Sequence, residues 1–129
     1  MTSPHANEVA LRRLYDSFIA GDDTVYKELV DPEIVWHEPG ETQISGDWRG
    51  ADEGLRMYQK FMEISGGTYR DELIDIVAND RLGVAIVRHR LERDGETFSY
   101  VLAQVYRIDG GKLVEYWEYP EPEFYRAWR

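Results

Sequence analysis

Cysteine is absent from the 129-residue chain. No disulfide, thiol nucleophile or cysteine metal site can form, and a cytoplasmic location is the expectation. No apolar run reaches the roughly 18 residues a membrane span needs, so no membrane partner is expected. The opening "MTSPHANEVA" has neither a basic start nor an apolar h-region, so no secretory signal is expected. Positive charge is scarce: 15 Lys and Arg stand against 25 Asp and Glu, a formal net charge of −10 at pH 7. Such a surface repels phosphate backbones and speaks against nucleic acid as a partner. Much of the acid is scattered or lies in "EYPEPEF", where it serves solubility. Histidine occurs three times, at His5, His37 and His89, without i, i+4 spacing, and "HE" is not followed by "xxH". No metal site is expected from that pattern. A glycine-rich phosphate or dinucleotide loop and a G-x-S-x-G elbow are also missing, so no cofactor is implied.

What is present is a globular composition, 43% apolar and 13% aromatic. The length suits one domain, 1–129, with a core of about 5–119 and a short tail at 120–129. In "NEVALRRLYDSFIAGD", Leu11, Leu14, Tyr15, Phe18 and Ile19 share one face of an amphipathic helix, and Gly21 marks its stop. "DDTVYKELVDP" reads as a second, shorter helix with Asp22 or Asp23 as cap and Pro32 beyond its end. "EIVWHE" is a short strand closed by Pro39-Gly40. "GADEGLRMYQKFMEISGG" reads as a third helix, capped by Asp52, with Leu55, Tyr58, Phe61 and Met62 as its stripe. From Thr68 the period becomes two. Strands at 69–78, 83–93, 97–108 and 112–119 are separated by "NDRLG", "RDGE" and "DGG", each a hairpin signal. Helices first and an antiparallel meander after them is the α+β pattern.

Alternation assigns faces. Ile34, Trp36 and Glu38 share one, opposite Val35 and His37. Glu38 is either a strand-end charge in water or a carboxyl carried inward beside Trp36, desolvated and suited to proton transfer. Phe98, Tyr100, Leu102, Gln104, Tyr106 and Ile108 form the apolar stripe of the longest strand. Gln104 on that stripe is either a donor to a ligand oxygen or a structural link to Tyr106 or the backbone. His89 alternates with Ala85, Val87 and Leu91. It is either a proton shuttle or a satisfied core residue. In "EYWEY", Tyr116 and Glu118 share one face, and Trp117 and Tyr119 the other. Trp48 in "SGDWRG" reads as a loop residue over a pocket rim or a cap on the core. The outward set Arg88, Arg90, Val101, Val105, Trp117 and Tyr119 mixes apolar groups with arginines. It predicts a symmetric homodimer through the sheets.

The order of elements, with "VWHEPG…SGDWRG" between helices and a closing "GKLVEYWEY", resembles the nuclear-transport-factor-2-like superfamily, in particular its SnoaL-like and ketosteroid isomerase branch. The resemblance covers about residues 5–120. It implies three N-terminal helices packed in a cone against a strongly curved, mostly antiparallel sheet, a cystatin-like α+β barrel with an apolar pocket at the open end. On the isomerase pattern, Glu38 falls on the proton-shuttling carboxylate and Gln104 on a protonated aspartic acid of the oxyanion hole. Tyr58 falls on a supporting hydroxyl. The second oxyanion donor, a tyrosine, falls on Leu14, with Tyr15 beside it and rotated by about 100°. SnoaL-like proteins imply a cavity carboxylate at Glu118. The lining expected from resemblance and stripes together is Trp36, Trp48, Tyr58, Phe61, Tyr100, Leu102, Tyr106 and Tyr116.

These readings imply a small cofactor-free enzyme that binds an apolar oxygenated molecule. It would act as an isomerase, dehydratase or polyketide cyclase, with Glu38 as general base and Tyr15, His89, Gln104 and Glu118 as further catalytic candidates. One alternative is a non-catalytic binding or dimeric scaffold protein. Another is an epoxide hydrolase resembling limonene epoxide hydrolase, whose Arg-x-Asp pattern "RHR" does not reproduce.

Overall fold

The computed structural model describes residues 3–129, so the first two positions of the expected domain lie outside the described residues. The elements run α1 (Ala6–Ile19), α2 (Thr24–Leu29), β1 (Val30–Glu38), β2 (Gly46–Arg49), α3 (Ala51–Ile64), β3 (Arg70–Ala78), β4 (Leu82–Arg93), β5 (Glu96–Asp109), β6 (Lys112–Pro120) and α4 (Glu123–Ala127). The six strands form one curved sheet in the order β2-β1-β6-β5-β4-β3. Only β1 and β6 pair in parallel; the other neighbours are antiparallel. The sheet stays open, with β2 and β3 as its edges, so it is a half-wrapped cone rather than a closed barrel. No helix among the described residues is long and apolar enough to cross a membrane.

The periodicities act as expected where they are long. Leu11, Leu14 and Tyr15 turn inward from α1. Ala85, Val87, His89 and Leu91 of β4 are buried, and so are Phe98, Tyr100, Leu102, Tyr106 and Ile108 of β5. The "RDGE" turn places Asp94 at φ 52 and Gly95 at φ 76, the left-handed geometry of a tight hairpin.

Several expectations need correction. Pro32 does lie beyond the end of α2, but β1 begins already at Val30, earlier than the expected strand, and so includes it. The β1–β6 register shifts between Val30 and Val35, and a residue with no N–H to donate is tolerated at such a bulge. Asp52 is not the cap of α3. Gly50, at φ 100, holds that position and Asp52 sits in the first turn, where it meets the positive helix end. In α3, Gly54, Met57 and Phe61 are buried, while Leu55, Tyr58 and Met62 are half-buried. The loop reading of Trp48 fails: it sits in edge strand β2 opposite Trp36 of β1, with its indole N–H donating to the Ile44 carbonyl at 2.9 Å. The tail reading of 120–129 fails as well. Phe124, Ala127 and Trp128 are fully buried, and Trp128 packs against Phe61 and Tyr69 at ring distances of 4.6 and 5.6 Å. Burying an indole removes apolar area worth several kcal/mol from water, at roughly 25 cal/mol per Å², so this segment belongs to the core.

Candidate functional site

A cavity of about 100 Å³ opens between the helices and the inner face of the sheet. Leu14, Tyr15, Phe18 and Ile19 of α1 line it, with Met57, Tyr58 and Phe61 of α3. The sheet contributes Trp36 and Glu38 of β1, Asp71 of β3, His89 of β4, Gln104 and Tyr106 of β5, and Tyr116 and Glu118 of β6. Tyr26, Gly54 and Tyr69 complete the wall. A Cβ on Gly54 would stand 2.4 Å from the Tyr26 hydroxyl oxygen and 2.6 Å from the Trp36 ring. Glycine there lets α3 approach the aromatic floor.

Register explains which charges meet. Trp36 pairs with Tyr116 and His37 with Trp117 in the parallel β1–β6 ladder. One step further along both strands sets Glu38 abreast of Glu118. Glu118 in turn faces Gln104 across β5. Both carboxyls are only 5% exposed. The Tyr116 hydroxyl donates to Glu118 Oε1 at 2.7 Å, whereas both Glu38 oxygens and Glu118 Oε2 have no hydrogen-bond partner. Burial pushes the Glu38 carboxyl well above the usual carboxylate range, and the neighbouring Glu118 adds to the shift. Two carboxylates so close in a dry wall cannot both ionise cheaply. Placing a negative charge on both at once is therefore costly, and the Glu38 carboxyl holds its proton more tightly than an ordinary carboxyl.

A second group forms around Tyr15. Its hydroxyl donates to Gln104 Oε1 and lies 2.8 Å from the Tyr106 hydroxyl. Since the Tyr15 proton is spent on Gln104, Tyr106 is the donor of the second bond. Burial pushes the pKa of both phenols up, so they stay protonated. Tyr15 thus reaches the cavity in spite of the one-residue offset, beside Leu14, but its proton is engaged within the protein.

The third group surrounds His89, which is 1% exposed. Its Nδ1 lies 2.9 Å from the Tyr100 hydroxyl, and its Nε2 is 2.9 Å from both the Tyr69 hydroxyl and Asp71 Oδ1. The Asp71 contact has ion-pair distance without hydrogen-bond alignment, and Asp71 Oδ1 is left without a hydrogen-bond partner.

Of the expected lining, Trp36, Tyr58, Phe61, Tyr106 and Tyr116 face the cavity. Trp48, Tyr100 and Leu102 do not. Trp48 caps the core from the edge strand, Leu102 is packed behind the wall, and Tyr100 supports His89 and accepts from the Trp128 indole at 2.6 Å. His37 lies on the other face of the sheet, where Asp47 and Glu115 flank its two nitrogens at 2.7 Å. Sequence reasoning missed Tyr69, Asp71, Met57 and Tyr26. The alternation Tyr69, Asp71, Leu73 carried a signal for Asp71, an acid on an apolar face. The bulge between Leu73 and Asp75 broke the period two residues later and hid it. Among the described residues, no three His, Asp or Glu side chains converge as a metal-ligand set.

The profile of the SnoaL-like domain family matches residues 11–116, and the chain belongs to that family. An uncharacterized protein of Mycobacterium tuberculosis, Rv0034, is 24% identical over 110 residues, 84% of each chain. Among solved structures, Bal32a from a soil-derived mobile gene cassette superposes with a TM-score of 0.86 at 26% identity, covering 95% of this chain and 96% of that one. IdmH of Streptomyces antibioticus, a candidate polyketide cyclase, superposes at 0.73 with 20% identity over 95% and 97% of the two chains. TerC, crystallised with polyporic acid, superposes at 0.79 with 15% identity over 95% and 96%. The last two likenesses show the shared fold alone. A Xanthomonas campestris protein described as having a cystatin-like fold superposes at 0.76 with 26% identity over 90% and 95% of the two chains, and a Burkholderia pseudomallei protein described as NTF2-like superposes at 0.80 with 17% identity over 95% and 96%.

Proposed function

We propose that the chain is an enzyme moving protons on a small, largely apolar, oxygenated molecule, in a reaction of the isomerase, dehydratase or polyketide-cyclase type. The carrying observation is the buried Glu38–Glu118 pair, whose free oxygens face an aromatic cavity. Two carboxyl groups side by side offer one group to take a proton from carbon next to a carbonyl and a second to give one back. Glu38, beside Trp36 and without a donor of its own, acts as the general base. The amide of Gln104, opposite Glu118, is placed to polarise a ligand oxygen, while Tyr15 and Tyr106 hold that amide in position. The likeness to a candidate polyketide cyclase and to a protein crystallised with polyporic acid supports a ring-bearing ligand. The scaffold alternative calls for Glu38 in water, and Glu38 is buried. The epoxide hydrolase alternative calls for an arginine between two acids, and no arginine lines the cavity. Copies of the chain pair through the outer sheet face, where Trp117 is half-buried and Tyr119 is 64% exposed.

The test is deuterium uptake from D2O into the α-carbon of a panel of small cyclic ketones, followed by NMR. The native chain is expected to exceed the buffer rate for at least one ketone, and Glu38→Gln is expected to return it to the buffer rate. Equal uptake with and without the Glu38 carboxyl would sink the assignment.

A further inference from the structure

The cavity wall is unbalanced in its hydrogen bonding. Five of its hydroxyl and indole donors are already committed inside the protein. Tyr15 donates to Gln104, Tyr106 to Tyr15 and Tyr116 to Glu118, while Tyr26 donates to the Ala51 carbonyl and Trp36 to that of Gly50. The free acceptors are four buried carboxyl oxygens: both of Glu38, Oε2 of Glu118 and Oδ1 of Asp71. All three residues line this one cavity, and no lysine or arginine does. Buried acceptors without donors are costly, so these three carboxyl groups favour a ligand that brings hydrogen-bond donors or positive charge.

The surroundings of Asp71 strengthen the point. The Trp128 indole N–H is a donor only, and it points at the Tyr100 oxygen from 2.6 Å. The Tyr100 hydroxyl also lies 2.9 Å from His89 Nδ1. Apart from His89 Nε2, which lies 2.9 Å from Asp71 Oδ1 without hydrogen-bond alignment, the described residues of the wall bring no basic side chain to the Asp71 carboxylate. Its surroundings are otherwise aromatic. Tyr69 lies between Phe61 and Tyr58 at ring distances of 5.1 and 5.9 Å, beside the Asp71 end of β3. A carboxylate set among ring faces suits an ammonium group, which gains from both.

We propose that the cavity takes a small organic amine, bound as its ammonium with the nitrogen at Asp71 and its apolar body against the aromatic rings. This deepens the reading above, because it adds a basic nitrogen to the oxygenated molecule held in the same cavity. Register separates the two functions. Asp71 pairs with His89 and His89 with Tyr100, four residues along β5 from the Gln104 that faces Glu118. At about 3.4 Å per residue the two rows stand roughly 13 Å apart at the backbone. The ammonium end and the proton-transfer end are thus different ends of one pocket.

The experiment uses three probes of equal shape, cyclohexylamine, cyclohexanol and cyclohexanecarboxylate, titrated at neutral pH into the full-length chain and followed by NMR. The amine is expected to bind at least tenfold more tightly than the alcohol, and the carboxylate more weakly than either. Asp71→Asn is expected to abolish the amine's advantage. In the unsubstituted chain, nuclear Overhauser contacts are expected from the nitrogen-bearing carbon to the Tyr58 and Tyr69 rings, a readout that holds even if the variant does not fold. Alcohol binding as tight as the amine overturns the proposal. So does the carboxylate binding best, an amine advantage that survives Asp71→Asn, or no binding by any of the three. Deuterium uptake separates this from the proton-transfer reading. An amine preference residing on Asp71 without ketone exchange sinks that reading alone, and exchange at Glu38 without the preference sinks this one alone.

Discussion

Replacing Glu38 by glutamine turns its burial into a measurable slope. The folded chain holds the Glu38 proton well above the usual carboxylate range, while the unfolded chain releases it near a model value of about 4.3. Below that value both states bind the proton and the residue adds no pH dependence. Above it, folding takes up one proton, so the native chain loses stability at up to about 1.4 kcal/mol per pH unit, the value of 2.303RT for one proton. The loss levels off once pH passes the raised folded value. Glutamine keeps the shape and cannot ionise, so the variant lacks this term. Its buried amide adds an offset that does not depend on pH. Between pH 5 and pH 7 the variant should therefore gain on the native chain by up to about 2.7 kcal/mol, whatever the offset. Urea unfolding followed by tryptophan fluorescence at several pH values gives the difference directly, because titrating groups away from the Glu38–Glu118 pair cancel. Glu118→Gln removes the like charge but leaves the burial, so the window of falling stability should close at a lower pH than in the native chain. A difference between native chain and Glu38→Gln that stays flat from pH 5 to pH 7 would refute the buried-pair reasoning.

Trp128→Ala should cost about 3–5 kcal/mol in chemical denaturation, the range for a large aromatic side chain removed from a core. A loss below about 1 kcal/mol would return the C-terminal segment to the status of a tail. Gly54→Ala should destabilise by about 1–3 kcal/mol through overpacking against Tyr26 and Trp36, and cyclohexanol titration should show weaker binding. Despite partial burial, which opposes it, the Glu115 and Asp47 carboxylates raise the His37 ionisation. Its contribution should be complete below about pH 6.5, fade as pH rises through the folded value, and stay under about 1 kcal/mol because the site is partly exposed. An NMR titration of the His37 ring that gives an unshifted or lowered value would contradict this. Sedimentation at micromolar concentration should give twice the 15.1 kDa of one chain, and Trp117→Asp should return it to one.

Local periodicity by itself determined α1, the long strands β3 to β6 and the inward faces of Trp36, Tyr106 and Tyr116, because each rests on a repeat that one segment carries whole. The same alternation placed Glu38 inward and left open whether its strand end met water. Short elements escaped. Four residues around Trp48 and five around Phe124 offer too little period to read, and only packing against β1 and the core holds them in strand and helix. The cavity chemistry was decided one level higher. Nothing in "VWHE" or "YWEY" says that the two stretches run parallel, yet that pairing sets Glu38 beside Glu118. Nothing near His89 points to Trp128, 39 positions on, whose N–H donates to the Tyr100 hydroxyl beside the ring. Residue type and local spacing determine which groups a strand offers inward. Pairing between distant strands and the docking of the C-terminal helix decide which of those groups meet, which donors are already spent, and so which charges remain for a ligand.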